Sequence, residues 1–280
     1  MILVTGATGN VGGEVVRALV ASGAQVRALT RTDNPAGLPA GVEQVSGDLN
    51  QPASMRTALA GTTALFLYPG YSDLEAMLAE ARKAGVRHVV LLSSSAVASG
   101  DLSNAITRYM AAAETALRSS GLAWTILRSF GFMSNTLQWI PQLAAGDVVH
   151  AAFAGVPVAM IDPYDIGAVA AAALTSRQHD GRIYTISGPE PLRPADRLRV
   201  LGEVLGRDLA FRAQSDDEAR AEMSASMPAE YVDAFFDYYA AGHLDESGVR
   251  PDVQQVTGHP PRTFRQWART HANAFPARGA

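Results

Sequence analysis

Short apolar runs alternate with segments of helical periodicity through the first half of the chain. Strands are predicted at 1–5, 25–30, 42–46, 63–68, 87–93 and 123–128. Helical patterns are predicted between them at 52–59, 72–84 and 102–119, and another follows the first strand and carries Val15, Val16, Leu19 and Val20. Runs such as Val89-Val90-Leu91-Leu92 are apolar at every position, as in strands that helices cover on both faces. The alternation predicts an α/β fold with a doubly wound parallel sheet, which binds ligands at the carboxyl ends of its strands.

A glycine-rich loop joins the first strand to the first helix. It reads Gly6-Ala7-Thr8-Gly9-Asn10-Val11-Gly12, and the helix after it carries Val15, Val16 and Leu19. In this strand–loop–helix context Gly6 permits a tight turn, Gly9 lets backbone amides approach a pyrophosphate, and Gly12 lets the helix pack close to the strand. We therefore predict a Rossmann dinucleotide-binding unit, with the anion at the helix N-terminus.

The second half of the chain has a looser pattern. Helices are predicted at 165–175, 193–205 and 262–275, and a strand at 182–187. We predict an NADP-binding Rossmann domain at 1–130 and a smaller carboxyl-terminal substrate lobe at 131–280 that is partly interleaved with it. Two further helices in 215–242 meet at Pro228. They carry methionine and aromatic side chains that suit either a core or a lid over the substrate, namely Met223, Met227, Tyr231, Phe235, Phe236, Tyr238 and Tyr239.

The end of the second strand bears on the choice of cofactor. There the sequence reads Leu29-Thr30-Arg31, about twenty residues beyond the glycines. A carboxylate at this point suits the ribose of NAD, whereas an arginine suits the 2′-phosphate of NADP. Arg31 therefore favours NADPH/NADP+. The alternatives are that Arg31 is a solvated surface residue and that the nearby Asp33 takes the NAD role.

Composition excludes several other classes. The net charge is −4, from 23 basic and 27 acidic residues spread along the chain, so we expect neither nucleic-acid nor membrane binding. The chain contains no cysteine, which removes thiol nucleophiles and thiolate metal sites. The six histidines are scattered, and we expect no metal. Without a long apolar segment, a cytoplasmic location is the default expectation.

Several local motifs together resemble the NmrA-like atypical short-chain dehydrogenase/reductases, from residue 1 to about 205. Beside the glycine loop they are Thr30-Arg31, Gly47-Asp48-Leu49, Gly121-Leu122-Ala123-Trp124-Thr125-Ile126-Leu127-Arg128 and Phe132-Met133-Ser134-Asn135. That family includes NADPH-dependent quinone reductases, isoflavone-type reductases and non-catalytic redox sensors. The resemblance implies that Thr8, Asn10 and Val11 line the pyrophosphate and that Arg31 holds the 2′-phosphate. It also implies that Asp48 and Leu49 border the adenine. The residues that it places along the nicotinamide half are Tyr68, Pro69 and Ser93.

The catalytic residues depart from the wider superfamily, which uses a Tyr-x-x-x-Lys pair. Tyr109 follows Ser93-Ser94-Ser95 at a suitable distance, but its fourth neighbour is Ala113 instead of lysine. An unassisted tyrosine has a pKa near ~10, so Tyr109 is equally well read as a packing residue. Candidates for contacts at the substrate carbonyl are Ser94, Ser95 and Tyr109. Candidates for the substrate wall are Phe130, Phe132 and Asn135.

The sequence thus predicts an NADPH-dependent reductase that transfers hydride to a ketone or quinone of a bulky aromatic substrate, with the proton coming from the substrate or water. Similar atypical ketoreductases act on aromatic polyketides in antibiotic biosynthesis. A non-catalytic, NADP-sensing regulatory protein is the alternative, favoured by the missing lysine. A nucleotide-sugar epimerase or dehydratase is disfavoured, because that chemistry depends on the Tyr-Lys pair.

Overall fold

The computed structural model describes residues 1–30, 37–70 and 72–276. Its strands are β1 (Ile2–Val4), β2 (Val26–Thr30), β3 (Glu43–Ser46), β4 (Ala64–Leu67), β5 (His88–Ser94), β6 (Ala123–Ser129), β7 (Val148–Ala151), β8 (Arg182–Ile186) and β9 (Ala210–Ala213). In this part of the chain, seven strands form one parallel sheet in the order β3-β2-β1-β4-β5-β6-β8, and β7 pairs with β9 in a second parallel sheet. The predicted doubly wound α/β architecture is confirmed.

Helices cover both faces of the main sheet. They are α1 (Asn10–Ala21), α2 (Arg56–Leu59), α3 (Leu74–Lys83), α4 (Ala105–Ser119), α5 (Ile140–Ala145), α6 (Pro163–Thr175), α7 (Pro194–Leu205), α8 (Asp216–Ser224), α9 (Ala229–Phe235), α10 (Asp252–Thr257) and α11 (Phe264–Thr270). Successive strand residues point to opposite faces, so Val4 packs with α1, α6 and α10, whereas Leu3 packs with α2, α3 and α4. This two-sided burial explains the unbroken apolar runs in the sequence.

Two elements from the second half of the chain complete the nucleotide-binding layer. β8 pairs with β6 at the edge of the main sheet, and α6 packs across α1. The two helices approach closely at Gly167, where an added Cβ would lie 2.7 Å from the backbone carbon of Glu14. The sheet therefore needs residues from both sides of position 130.

The remaining elements form a lobe beside the carboxyl ends of the sheet. Its core is built around Trp139 and Trp267, both fully buried, with side chains from α5, α7 and α11. The segment 215–242 contains α8 and α9, and α9 continues into a short π-helix, Phe236–Ala240. Pro228 is the last residue before α9. The sequence predicted that the two helices meet at this proline, and the structure agrees within one residue.

Candidate active site

A cleft of about 620 Å³ opens where the strand order of the main sheet reverses, between β1 and β4. The loops after these strands diverge at such a point and leave space for a ligand. Residues of the glycine loop lie on one side, and residues 47–50 and 132–135 lie on the others. All six predicted loop residues line this cleft, namely Gly6, Thr8, Gly9, Asn10, Val11 and Gly12.

The backbone of the loop fits a dinucleotide pyrophosphate. Gly6 has a φ of +61°, and a Cβ on Gly12 would lie 2.1 Å from the carbonyl oxygen of Gly6. Gly9 precedes α1 without a side-chain cap, so the first backbone N–H groups of this helix face the cleft. Free amides and a helix dipole together make a site for an anionic ligand.

The predicted adenine side of the cleft is lined by Asp48 and Leu49, next to Thr30 at the end of β2. The Asp48 carboxylate accepts hydrogen bonds from the Asn50 N–H, at 2.9 Å, and from the Gln51 side chain, at 3.1 Å. These bonds fix the loop that borders the cleft. Arg31 and Asp33, on which the choice between NADP and NAD depends, lie outside the described residues.

The predicted nicotinamide side leads into a smaller space of about 180 Å³, which we call the inner cavity. Tyr68, Pro69 and Ser93 line it, and Tyr68 lines the cleft as well. The Ser93 hydroxyl is already used, because it donates to the buried Glu114 carboxylate at 2.7 Å. The ion pair between Glu114 and Arg128 holds that carboxylate in place.

The three residues predicted for the substrate wall are brought together at the inner cavity. Phe130, Phe132 and Asn135 all line it, and Phe132 and Asn135 also line the nucleotide cleft. Further aromatic side chains come from Phe235 at the end of α9 and from Tyr238 and Tyr239 in the π-helix that follows it. The inner cavity thus adjoins the cleft, and six of its seventeen lining residues are aromatic.

The three predicted carbonyl contacts take different positions. Ser94 lines the inner cavity, and its oxygen accepts a hydrogen bond from the Ala96 N–H. Ser95 is buried behind the wall and donates to a carboxylate oxygen of Glu246 at 2.6 Å. The Tyr109 hydroxyl lies 3.7 Å from the place of a Cβ built on Gly70, and Tyr109 is not among the residues lining the inner cavity. Only Ser94 of these three lines the cavity in the described structure.

Sequence reasoning missed a buried carboxyl group at this wall. Glu246 lines the inner cavity and accepts hydrogen bonds from Ser95, from the Tyr239 hydroxyl at 3.1 Å and from the Gly131 N–H at 3.3 Å. Burial raises the pKa of Glu246 above its ordinary value despite these bonds, and burial together with this carboxyl group raises the pKa of Tyr239 well above 10. Tyr239 belongs to the aromatic pattern in the sequence, whereas nothing in the pattern around Glu246 indicates burial.

A larger space of about 510 Å³, here called the outer cavity, lies beyond Asn135. Both cavities share the side chains of Asn135, Phe235 and Tyr239. The helical pair α8–α9 roofs the outer cavity through Met223 and Met227. Some of the predicted methionine and aromatic side chains therefore line the outer cavity, whereas others, such as Phe236, pack in a buried cluster. A lid that moves over the substrate stays a prediction.

The described residues lack two other kinds of functional feature. No helix in 1–30, 37–70 or 72–276 is long and apolar enough to span a bilayer. The same residues contain no cluster of three or more histidine, aspartate or glutamate side chains with the geometry of a metal site.

Comparison with known proteins identifies the family. A family model described as NAD(P)H-binding matches residues 6–177, which is more than half of the chain. A Streptomyces griseus protein named (4-alkanoyl-5-oxo-2,5-dihydrofuran-3-yl)methyl phosphate reductase is 42% identical, over 98% of this chain and 99% of the relative. An NAD(P)H azoreductase of Xenophilus azovorans is 35% identical, over 99% of this chain and 100% of the relative.

The fold is shared with solved reductases. One of them is the crystal structure of an Escherichia coli NADPH-dependent quinone oxidoreductase in complex with NADPH. Its superposition on this chain has a TM-score of 0.79 and spans 98% of this chain and 100% of the other, and the two sequences are 22% identical. Since the full-length relatives are named as reductases, the alternative of a non-catalytic sensor is set aside, and the resemblance to NmrA-like reductases is confirmed. The chain belongs to the NAD(P)H-binding family and is an NAD(P)H-dependent oxidoreductase.

Proposed function

We propose that this enzyme transfers hydride from NADPH to a ketone or quinone of a bulky aromatic compound and works without a Tyr-Lys pair. The observation that carries the proposal is the shared wall formed by Phe132 and Asn135, which line both the nucleotide cleft and the inner cavity. An acceptor in the inner cavity is thereby next to the cleft. Contact between donor and acceptor is the requirement of a hydride-transfer site.

The glycine loop and the first turn of α1 hold the pyrophosphate in this proposal, and residues 47–50 border the adenosine. The bound cofactor supplies a hydride, which carries two electrons, to an electron-poor carbon and leaves oxidised. The preference for NADPH over NADH rests on Arg31, the residue that directly follows β2 in the sequence.

Aromatic side chains position the acceptor ring. Phe130 is buried, Phe132 is partly exposed, and Tyr238 closes the same wall, so a planar substrate meets ring faces and edges instead of water. Ser94 supplies a hydroxyl at the wall. Because its oxygen accepts from the Ala96 N–H, its own O–H is oriented for donation to a substrate carbonyl.

Tyr239 and Glu246 are our candidates for the proton source. Tyr239 lines both cavities, and its raised pKa makes the hydroxyl a weak acid on its own, so it needs a proton donor behind it. Burial favours the protonated form of Glu246, which is the acid of the pair in this proposal. As the substrate oxygen gains negative charge, the Tyr239 hydroxyl passes its proton to that oxygen and takes one from the Glu246 carboxyl group in the same step. Hydride and proton then add across the acceptor bond, so the atoms and charges balance.

A second acceptor is favoured by the relative with 42% identity over almost the whole chain. The name of that relative describes a dihydrofuranone that carries an alkanoyl group and a methyl phosphate. Reduction of a carbon–carbon double bond conjugated with a carbonyl group requires the same two additions as reduction of a quinone. A hydride adds to an electron-poor carbon, and a proton completes the product. This class therefore suits the same site.

The test follows NADPH oxidation with menadione, with hydroxylated polycyclic ketones and with such an unsaturated lactone phosphate. Tyr239→Phe and Glu246→Gln are each expected to lower kcat for ketones by about 10–100-fold and to change the pH profile of kcat. Tyr109→Phe is the matched comparison at the other candidate acid. Loss of activity in Tyr109→Phe with normal rates in Tyr239→Phe would assign the proton to Tyr109, and no oxidation of NADPH with any acceptor would refute the proposed function.

A further inference from the structure

The outer cavity contains a cation that its surroundings do not neutralise. Its walls are largely apolar, with Val156, Val158 and Met160 on one side and Met223 and Met227 on the other. Arg197 of α7 projects into this lining. Its Nε is buried and has no hydrogen-bond partner, and no carboxylate of the described residues forms an ion pair with it.

Other enclosed arginines of the chain are fully engaged. The Arg207 side chain is 6% exposed, binds the Asp147 carboxylate at 2.7 Å and also donates to backbone carbonyl oxygens. The Arg128 side chain is 17% exposed and binds Glu114 at 2.7 Å. Arg197 instead stacks on the Trp139 ring, with 5.3 Å from the guanidinium carbon to the ring centroid. This fold thus supplies acceptors to enclosed arginines elsewhere but supplies none to Arg197.

Arg197 nevertheless stays charged. Burial lowers its pKa to about 10, which leaves the guanidinium cationic at neutral pH. The neighbouring Tyr239 is neutral there, because its pKa is raised. Glu222 and His150 are exposed lining residues, and the Glu222 carboxylate already accepts from the Gln214 amide. The residue as a whole is half-buried, and its terminal nitrogens are not among the buried atoms, so the guanidinium can donate to an anion that arrives in the cavity with a ligand.

Two more unpartnered donors line the same cavity. The Ser134 hydroxyl and the Trp139 indole N–H are buried and have no hydrogen-bond partner in the described structure. Ser134 also lines the nucleotide cleft. The guanidinium can only donate, so a group that only accepts hydrogen bonds suits it best, and the hydroxyl and the indole N–H are further donors buried behind the same wall.

We propose that the outer cavity binds an anionic oxyacid group of the substrate, a phosphate monoester or a carboxylate, through Arg197. The proposal rests on the proposed function, because it assigns the far end of the substrate whose reacting ring lies in the inner cavity. Asn135 and Tyr239, which line both cavities, lie at the junction between the ring and its anionic substituent. The substrate class is then an aromatic or conjugated carbonyl compound with a charged side group.

The first experiment compares three acceptors with one ring system: menadione, menadione with a propanoate side chain and menadione with a phosphooxyethyl side chain. The wild-type enzyme is expected to have a kcat/KM about 10–100-fold higher for an anionic acceptor than for menadione. Arg197→Met removes this ratio, and Arg197→Lys retains part of it. Arg199→Met is the matched control, since this exposed residue of the same helix pairs with Glu203 and does not line the outer cavity.

A second experiment measures binding without turnover, so that it remains informative if menadione is not reduced. Calorimetry with saturating NADP+ compares 2-naphthyl phosphate, 2-naphthoate and 2-naphthol. We expect the wild-type protein to bind one or both anions at least tenfold more tightly than 2-naphthol, and Arg197→Met to bind all three alike. The phosphate and carboxylate arms distinguish the two oxyacids.

Equal affinity of the wild-type protein for the anions and for 2-naphthol would overturn the proposal, as would an unchanged anion preference in Arg197→Met. Correct folding of each variant is checked by the rise in Tm that NADPH produces. NADPH is proposed to bind at the glycine loop, so this rise should not depend on Arg197. Turnover of menadione combined with no anion preference would refute this inference alone. Anion binding without any turnover would refute the proposed function instead.

Discussion

Gly12 has no room for a side chain. A Cβ there would lie 2.1 Å from the carbonyl oxygen and 2.5 Å from the carbonyl carbon of Gly6, and neither backbone atom can move without opening the loop. Gly12→Ala is therefore expected to lower the free energy of unfolding by about 1–3 kcal/mol and to abolish NADPH binding. Urea unfolding and a fluorescence titration with NADPH measure the two effects.

Gly13, the next residue of α1, is the matched control. The nearest neighbour of a Cβ there is the flexible Arg17 side chain, at 3.4 Å. Alanine is favoured over glycine in a helix by about 1 kcal/mol, so Gly13→Ala is expected to keep or raise stability. Equal NADPH affinity in Gly12→Ala and Gly13→Ala would contradict our interpretation of the loop.

Arg31 is expected to decide between the two nicotinamide cofactors. A hydrogen-bonded pair with a charged group contributes about 1.5–3 kcal/mol, so Arg31→Ala should raise KM for NADPH by roughly 10–100-fold. KM for NADH should change little, because NADH has no 2′-phosphate for the guanidinium to bind. Steady-state kinetics with both cofactors at one fixed acceptor concentration provide the measurement. A parallel loss with NADH would mean that Arg31 acts on the fold or on the whole nucleotide.

The sequence predicts those site residues whose role depends on backbone geometry or on local order. Gly6, Gly9 and Gly12 are recognisable because a strand precedes them and a helix follows them. Arg197 and Glu246 carry no such signal, since each is an ordinary charged residue until tertiary packing encloses it beside a cavity. For Ser95 the sequence is misleading: its position directly after β5 suggests contact with the substrate, but its hydroxyl donates to Glu246.

At the scale of elements, the start of α6 is linked to the segment before α11 by a buried carboxyl group. One oxygen of Asp165 accepts from the Arg262 N–H at 2.7 Å, and the other has no partner in the described structure. Burial raises the pKa of Asp165 to about 6, since desolvation outweighs that hydrogen bond. Asp162 and His259 are the other titratable groups that act on it, beside the charge of Arg262.

This pKa has a defined consequence for stability. Asp titrates near ~3.9 in an unfolded chain, so the folded protein binds this proton more tightly than the unfolded chain does. The group therefore favours folding below pH ~4, and its contribution is lost as the pH rises through about 6. Asp165→Asn is neutral throughout and is expected to raise the free energy of unfolding above pH 6, by at most about 3 kcal/mol.

Urea unfolding of both proteins between pH 4 and 8 tests this prediction. The gain from Asp165→Asn should shrink as the pH falls and vanish near the lower limit. Asp101→Asn is a control of opposite sign, because hydrogen bonds from Ser103 lower the pKa of this exposed carboxyl group. A loss of stability in Asp165→Asn at every pH would show that the carboxylate is stabilising.

Elements of the main sheet are predictable because burial on both faces leaves long apolar runs with glycine-rich turns between them. The predicted helix at 72–84 is found as α3, Leu74–Lys83, and the strand at 87–93 as β5, His88–Ser94. The strands β7 and β9 escape prediction because each has four mostly exposed or half-buried residues and lies outside the strand–helix alternation that identifies the equally short β3. In such short elements the apolar pattern is too weak to be distinguished from a loop.

At the scale of the whole molecule, the two halves of the chain share a core. Val15, Val16 and Leu19 of α1 belong to one buried cluster with Ile166 and Val169 of α6. β8 covers the edge of β6. The candidate site depends on both halves as well, since the glycine loop comes from the first half and the residues around Asn135 from the second. We therefore expect the two parts predicted on either side of position 130 to fold together, in line with the predicted interleaving.

This shared core leads to a prediction for the isolated first 130 residues. Without α6 and β8, the apolar face of α1 and the edge of β6 become exposed, and the lost burial exceeds the usual margin of stability, about 5–15 kcal/mol. We expect fragment 1–130 to lack a cooperative thermal transition by circular dichroism and to leave NADPH fluorescence unchanged. The full chain should unfold in one transition, with equal calorimetric and van't Hoff enthalpies. A fragment that melts cooperatively and binds NADPH would instead establish the first half as an autonomous domain.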